Sequence, residues 1–325
     1  MNKYEEFEAQ YEKEKPMFKE WGYCVKNHII ENLNLPKAEL DKIIKMDVEP
    51  RVKDTASILQ KAFFRGKNYQ NPYNEITDKV GIRFVVMIVE QIHLIENIIE
   101  KADIWKYSKD KDFQEESKSC PQVFGYESVH YIVRNIHTID SNGIIIKKGT
   151  PCEIQIRTLE QHAYAEISHD YFYKNNLVHE SIDKMNRYLA RSMALNETTD
   201  FLFGEVYNMI EAEKEKYYKV NTELMSIMEF RDYDESLNMS IYKNIENMIK
   251  EYIEDISEVK MFIDDDIKEN IVEKKTRALF RQPMVLLLYY LISEHRTEIL
   301  QIWDGTVDVL EPIYSDLGYS MQDIY

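Results

Sequence analysis

EIQIRT, residues Glu153 to Thr158, sets Glu153, Gln155 and Arg157 in alternation with Ile154 and Ile156. A strand repeats every two residues, so the isoleucines face a core while a carboxylate, an amide and a guanidinium share the opposite face. A solvated antiparallel strand shows the same alternation, so the neighbouring segments decide whether this face is a site. Helical patterns up to about residue 66 lead into the polar loop GKNYQNPYNEITD and then the β-rich run VGIRFVVMIV, residues 80–89. A helix-like stretch from Gln91 to Lys101 and a polar connection follow, with strands near Val129 to Ile136, Ile144 to Lys147 and Cys152 to Arg157. This mixture predicts an α/β (α+β) class, a mixed β-sheet flanked by helices. From Leu159 onward the pattern is almost wholly helical. Gly and Pro are nearly absent between Lys174 and Arg281, which predicts an α-helical C-terminal region. Three regions are expected: an N-terminal helical segment (1–44), the α/β domain (45–175) and the helical region (176–325).

A chain of 325 residues with 44% hydrophobic content fits a globular protein with a substantial core. The longest apolar run, Met284 to Ile292, is too short to span a bilayer, and MNKYEEFEAQ lacks the hydrophobic region of a signal peptide. A cytoplasmic location without membrane partners is the expectation. Cys24, Cys120 and Cys152 have neither metal-site spacing nor an even count, and read as reduced thiols. The net charge of −17 is uneven, with −3 on residues 1–175 and −14 on residues 176–325. So acidic a second half repels phosphate backbones and argues against broad nucleic-acid binding, while leaving room for a local basic pocket.

Four further groups could carry chemistry with the strand. In RVKDTASILQKAF, read as a helix, Lys53, Ser57 and Lys61 recur every four residues and form one stripe, with Ile58 and Ala62 facing elsewhere. Two ammoniums and a hydroxyl in line suit a polyphosphate; a solvated helix face is the plainer alternative. Asp78 stands just before a strand too apolar for the surface, where a carboxylate can hold Mg²⁺ or cap a turn. Arg83 interrupts that strand and should have a specific partner, a structural carboxylate or a ligand ring. In FGYESVHYIVR, Gly125 permits a tight turn from which Tyr126 projects, either to stack on a purine or to be buried, and the His130 imidazole could hydrogen-bond a phosphate. In QHAYAEISHDYFYK, His162, Glu166 and His169 share a helical face. The metal reading is disfavoured by the absence of HExxH order and of a second histidine-rich segment.

Taken in order, RVKDTASILQK, DKVGIRFVV, GYESVHY and EIQIRTLEQHAYAEISHDYFYK closely resemble the synthetase domain of the RelA/SpoT family of alarmone synthetases, over about residues 45–175. The resemblance implies an enzyme, a GTP pyrophosphokinase that moves the β,γ-pyrophosphate of ATP to the 3′-hydroxyl of GTP or GDP, giving (p)ppGpp and AMP. No histidine-rich hydrolase segment precedes residue 45, so the small synthetase-only type is expected. By the same resemblance Asp78 matches the Mg²⁺-binding aspartate, and Glu153 matches the catalytic glutamate that helps bind metal and prepares the 3′-hydroxyl. Arg51 and Arg83 match the pair that sandwiches adenine, Lys53, Ser57 and Lys61 would meet the ATP phosphates, and Tyr126 matches the tyrosine that stacks on guanine. His130, Gln155, Arg157 and His162 would complete the GTP/GDP pocket. KSCPQVF, before Gly125, departs from the lysine and Asn-Gly pair of many members, which leaves the acceptor open between GDP and GTP. Tyr164 replaces the aromatic of the family's HAWAE motif at an expected packing position. The acidic helical region, unmatched, could form a homo-oligomer interface, bind a regulator or partly cover the site. Two alternatives are a toxin-type relative acting on the tRNA 3′ end and a catalytically silent nucleotide-binding regulator.

Overall fold

Residues Pro151–Thr158 form strand β7, the centre of a five-stranded sheet ordered β1 (Arg51–Val52), β2 (Val80–Val86), β7, β4 (Val129–Asn135), β3 (Trp105–Asp112). The computed structural model describes residues 2–66, 68–124, 128–168 and 182–321. Strands β2 and β7 run parallel and the other pairs antiparallel, which gives the expected mixed sheet. Ile154 and Ile156 are fully buried, aligned with Ile82 and Phe84 on one side and with Tyr131 and Val129 on the other.

Helices α1 (Lys3–Leu33) and α5 (Val89–Lys101) share the core of this apolar face, through Tyr11, Trp21, Val25 and Ile29 of α1 and Ile92, Ile95 and Ile99 of α5. Spacings of three and four residues place each set on one helical stripe. Asn2 and Glu5 close a capping box at the start of α1, with bonds of 2.9 and 3.1 Å. Short helices α2 (Lys37–Ile43), α3 (Thr55–Phe63), α4 (Pro72–Glu75), α6 (Phe113–Ser119) and α7 (Leu159–Ile167) complete the α/β part. A hairpin of β5 (Ile139–Ser141) and β6 (Ile144–Ile146) turns on Asn142 and Gly143, both at positive φ, the Asn-Gly turn that twists with its strands.

Two sequence expectations are corrected. The connection after Lys101 contains β3, an edge strand whose lysines and aspartates hide its β character because a sheet edge favours charge. The stripe of Lys53, Ser57 and Lys61 does not lie on one helix. Arg51 and Val52 pair with β2, Asp54 caps α3 by accepting from Ser57 N at 2.8 Å, and Lys53 stands between strand and helix.

The chain divides into two compact units, Met1–Val206 and Tyr207–Tyr325. The division falls within α8 (Ile182–Met225). Thr158, the N-cap of α7, donates to buried Asp200 of α8 at 2.7 Å. In the second unit α9 (Glu235–Tyr252), α10 (Ile256–Phe262), α11 (Asp265–Glu273), α12 (Val285–Ile302) and α13 (Glu311–Asp316) enclose their own core. The run at 285–292 is the buried half of α12, as its apolar sequence predicts. Buried Asn238 satisfies its amide fully. It donates to Tyr217 Oη and Asn221 Oδ1 at 2.8 Å each and accepts from Met284 N at 3.0 Å. Among the described residues no helix is long and apolar enough to cross a membrane.

Gly22 lets α1 pack closely beside the sheet, since a Cβ there would lie 2.6 Å from Pro50 Cβ and 3.0 Å from Val80 Cγ2. Alanine gains about 1 kcal/mol of helix propensity, but overpacking at this depth costs about 1–3 kcal/mol. Gly22→Ala is therefore expected to lower stability in urea unfolding; a stabilised variant would show that α1 yields freely.

Burial, with the charges of Glu160 and Glu90, pushes Asp200 up to about 6. Because the folded-state value lies above the unfolded one, the stability linked to this group is complete below the unfolded range near pH 3.8 and is lost as pH rises through about 6. Asp200→Asn keeps an acceptor for Thr158 and removes that loss. Its melting temperature is expected to exceed that of the parent at pH 8 and to approach it only below the unfolded value near pH 3.8; an equal difference on both sides of that range would contradict the linkage.

Candidate active site

The polar face of the sheet is a ladder of short rows fixed by register. In one row Arg83 of β2, Gln155 of β7, His130 of β4 and Lys111 of β3 lie side by side; in the next, Arg51, Gly81, Glu153 and Ile132 do. Side chains two apart on a strand share a face, so Arg51, Arg83, Glu153, Gln155, Arg157 and His130 all belong to this surface. Gly81 leaves it open, because a Cβ there would sit 3.7 Å from Glu153 Oε2.

Asp78 anchors one end. It receives both Lys53 and Lys61 on the same oxygen, Oδ2, with Lys61 Nζ at 2.7 Å. Burial would raise the Asp78 carboxyl, but the two ammoniums outweigh it and hold the group below the usual carboxylate range. Asp78 Oδ1 is buried and accepts no hydrogen bond from the described residues. The plainer reading of Asp78 as a turn cap is thereby replaced: its partners are the lysines. Ser57 lies on α3 one turn before Lys61 and is partly exposed.

Glu153 behaves oppositely. Burial and the negative charge of Asp78 push its carboxyl up, with Gln155, Lys53 and Lys61 opposing. Its orientation is set by a relay along β7: Arg157 Nη2 donates to Gln155 Oε1 at 2.6 Å, and Gln155 Nε2 donates to Glu153 Oε2 at 3.0 Å. Arg157, only 4% exposed, also donates to Ser128 Oγ at 3.3 Å. His130 Nδ1 lies 3.7 Å from Glu153 Oε1, and burial with the Arg157 charge pushes this imidazole down to about 4, so it is neutral at pH 7. Two carboxylates thus stand with oppositely displaced affinities for protons, one held by lysines and the other aimed by an amide.

Arg83 finds the structural carboxylate its position demanded. It donates to Glu166 Oε1 of α7 at 2.7 Å, with His162 Nδ1 3.7 Å from the same oxygen. Among the described residues no group of three or more His, Cys, Asp or Glu side chains that could hold a metal ion occurs. His169 and Tyr126 lie outside the described residues. Tyr164 is buried, consistent with a packing role. Arg51 is exposed in β1. Lys111, in the row of His130, is a cation the sequence reading overlooked because β3 went unrecognised; its alternation within an edge strand was the signal. Lys111 borders a cleft of about 510 Å³ with Lys109, Asp112, Phe113 and Cys120. Cys24, Cys120 and Cys152 are all free thiols.

The donor set fits a hard divalent cation completed by a ligand. Such an ion takes one or two carboxylates and draws its remaining oxygens from phosphates and water. Asp78 Oδ1, buried and without a hydrogen bond among the described residues, and Glu153 would be the protein's contribution.

The family profile described as the region found in RelA / SpoT proteins matches residues 50–178. The chain is 30% identical over 165 residues to GTP pyrophosphokinase YjbM of Bacillus subtilis, covering 49% of this chain and 72% of that protein. With GTP pyrophosphokinase YwaC of the same organism the identity is 27% over 128 residues, 39% of this chain and 57% of the relative. In fold, the chain is similar to the crystal structure of Bacillus subtilis small alarmone synthetase 1 bound to its product pppGpp, with a TM-score of 0.50 and 23% identity over 62% of this chain and 99% of that one. The sheet, the order of its motifs and these relatives agree: the chain belongs to the RelA/SpoT family.

Proposed function

We propose that this protein is a GTP pyrophosphokinase, transferring pyrophosphate from ATP to the 3′-hydroxyl of GTP or GDP. The observation that carries the reading is the placement of Asp78, clasped by Lys53 and Lys61, near Glu153, whose carboxyl burial and the Asp78 charge push up and Gln155 of the same strand aims. In this reading the acceptor oxygen attacks the β-phosphorus of ATP, the bond to the α,β-bridging oxygen breaks, and AMP leaves. Glu153 takes the proton of the 3′-hydroxyl, a task suited to a carboxylate whose proton affinity is elevated by burial. Lys53, Lys61 and Ser57 meet the polyphosphate, the lysines turning from Asp78 toward the incoming negative charge. Arg51 and Arg83 flank the adenine, and His130, Gln155, Arg157 and His162, with Tyr126 stacked on guanine, bound the acceptor side. Mg²⁺ held by Asp78 and Glu153 supplies charge neutralisation at the transferred phosphates when bound. Residues 45–175 are the synthetase domain in this assignment. Residues 1–44 support it, and the acidic region 176–325 serves assembly or regulation. The protein works in the cytoplasm, where its nucleotides are.

Incubation with β-labelled ATP and Mg²⁺, offering GTP, GDP or deacylated tRNA in turn, tests the reading. Label is expected on the guanine nucleotides with release of AMP. Transfer to tRNA alone, or to no acceptor, would overturn it. The charge of −14 on residues 176–325 disfavours docking so large a polyanion.

Asp78→Asn and Glu153→Gln are each expected to reduce transfer by at least about a hundredfold, the scale of a positioned electrostatic or acid-base group. Their folds should persist by circular dichroism, and near-parental turnover in either would remove that residue from the chemistry. Tyr126→Ala is expected to weaken use of the guanine acceptor roughly ten- to a hundredfold, the loss of one base-aromatic stack, with little change for ATP. An equal loss for both substrates would assign Tyr126 to the fold or the donor side.

A further inference from the structure

Tyr11, on α1, lies outside the segment that carries the family's motifs, yet its hydroxyl reaches the backbone of the site. The ring is fully buried, with centroids of Phe7 and Phe18 at 6.4 and 5.9 Å. The hydroxyl donates to the carbonyl of Lys53 at 2.6 Å, and the carbonyl of Lys79 lies 3.3 Å away as the second limb of a three-centred bond. These carbonyls belong to Lys53 itself and to the residue after Asp78, and they are already joined because Lys53 N donates to Lys79 O at 2.9 Å. A single phenol thus ties the two backbone points from which the Lys53 ammonium and the Asp78 carboxylate project. The next turn of α1 extends the hold: Glu12 bonds Thr55 Oγ1, and Lys15 Nζ donates to that oxygen at 2.5 Å, at the first residue of the helix that presents Ser57 and Lys61.

We propose that Tyr11 is a positioning residue for the donor half of the reaction, its hydroxyl fixing the spacing between Lys53 and Asp78 so that polyphosphate finds both in place. Tyr11 touches no substrate in this account, which rests on the pyrophosphokinase reading. Preorganisation of this kind acts on ATP and leaves the acceptor side, built on β4 and β7, unaffected.

Tyr73 supplies the control. Its ring packs against Phe7 at 5.1 Å and its hydroxyl donates to Glu14 of α1 at 2.6 Å, so it also fastens α1, without reaching the Lys53 or Lys79 carbonyls. Tyr11→Phe and Tyr73→Phe are compared in steady-state transfer and in urea unfolding. Tyr11→Phe is expected to raise KM for ATP roughly three- to tenfold, the scale of one hydrogen bond, with KM for the guanine acceptor within about twofold of the parent. Tyr73→Phe should leave both unchanged at a similar loss of stability. Equal effects on ATP and acceptor, matching kinetics in the two variants, or failure of Tyr11→Phe alone to fold would each overturn the proposal and make the hydroxyl a purely structural tie. Should the parent transfer no pyrophosphate, the functional reading fails by itself. Calorimetric titration with MgATP then tests Tyr11 separately: weaker binding in Tyr11→Phe alone supports the proposal, and unchanged binding refutes it.

Discussion

Two partly buried carboxylates within electrostatic reach of each other cannot both ionise freely, and the α/β part of this protein is organised around that constraint. Asp78 is relieved by two ammoniums delivered from different places, Lys53 from the turn after β1 and Lys61 from the second turn of α3. Burial and the charge of Asp78 raise the proton affinity of Glu153, because its amide partner and the more distant lysines oppose them too weakly. The difference between the two follows from strand order. Parallel pairing of β2 and β7 brings the chain after Asp78 beside Glu153, and antiparallel β1 beyond β2 brings Lys53 to the same end.

The opposite face of the sheet shows how that end is held rigid. Isoleucines of β7 and the stripes of α1 and α5 form one continuous apolar core, and α1 approaches closely enough that Gly22 admits no side chain. Helix α1 therefore does more than cover the sheet. Because its register is fixed by this packing, its polar side chains at Tyr11, Glu12 and Lys15 arrive at defined backbone and side-chain atoms near the lysines. Precise placement of a charged site depends here on apolar contacts more than on the ion pairs themselves, since partly exposed pairs contribute little stability.

Arg83 and Arg157 illustrate how position changes the role of one residue type. Both lie on the polar sheet face, but Arg83 is accessible and meets the exposed carboxylate of Glu166. Arg157 is buried and spends its donors on Ser128 and Gln155, so its influence on Glu153 passes through the amide between them. Truncating such a buried guanidinium leaves those acceptors unmatched, a loss that spreads along the relay.

Much of this organisation is legible in local pattern. Alternation in EIQIRT identifies a strand with one apolar and one polar face, the apolar runs at 80–89 and 284–292 identify buried elements, and the scarcity of Gly and Pro after Leu159 identifies helices. Four short motifs in order carry the resemblance to the family. Local pattern fails where charge or a boundary interrupts it. The lysine-rich edge strand β3 has no apolar face to report, and the segment from Arg51 to Lys61 carries helical spacing across a real break at the Asp54 cap. Tertiary structure alone decides the partners: which oxygen of Asp78 takes two lysines, that Glu166 belongs to Arg83, and that a tyrosine of α1 ties the carbonyls of Lys53 and Lys79. Periodicity encodes which face of an element is buried, whereas a partner distant in sequence is chosen only when strand register and helix packing bring the two chains together.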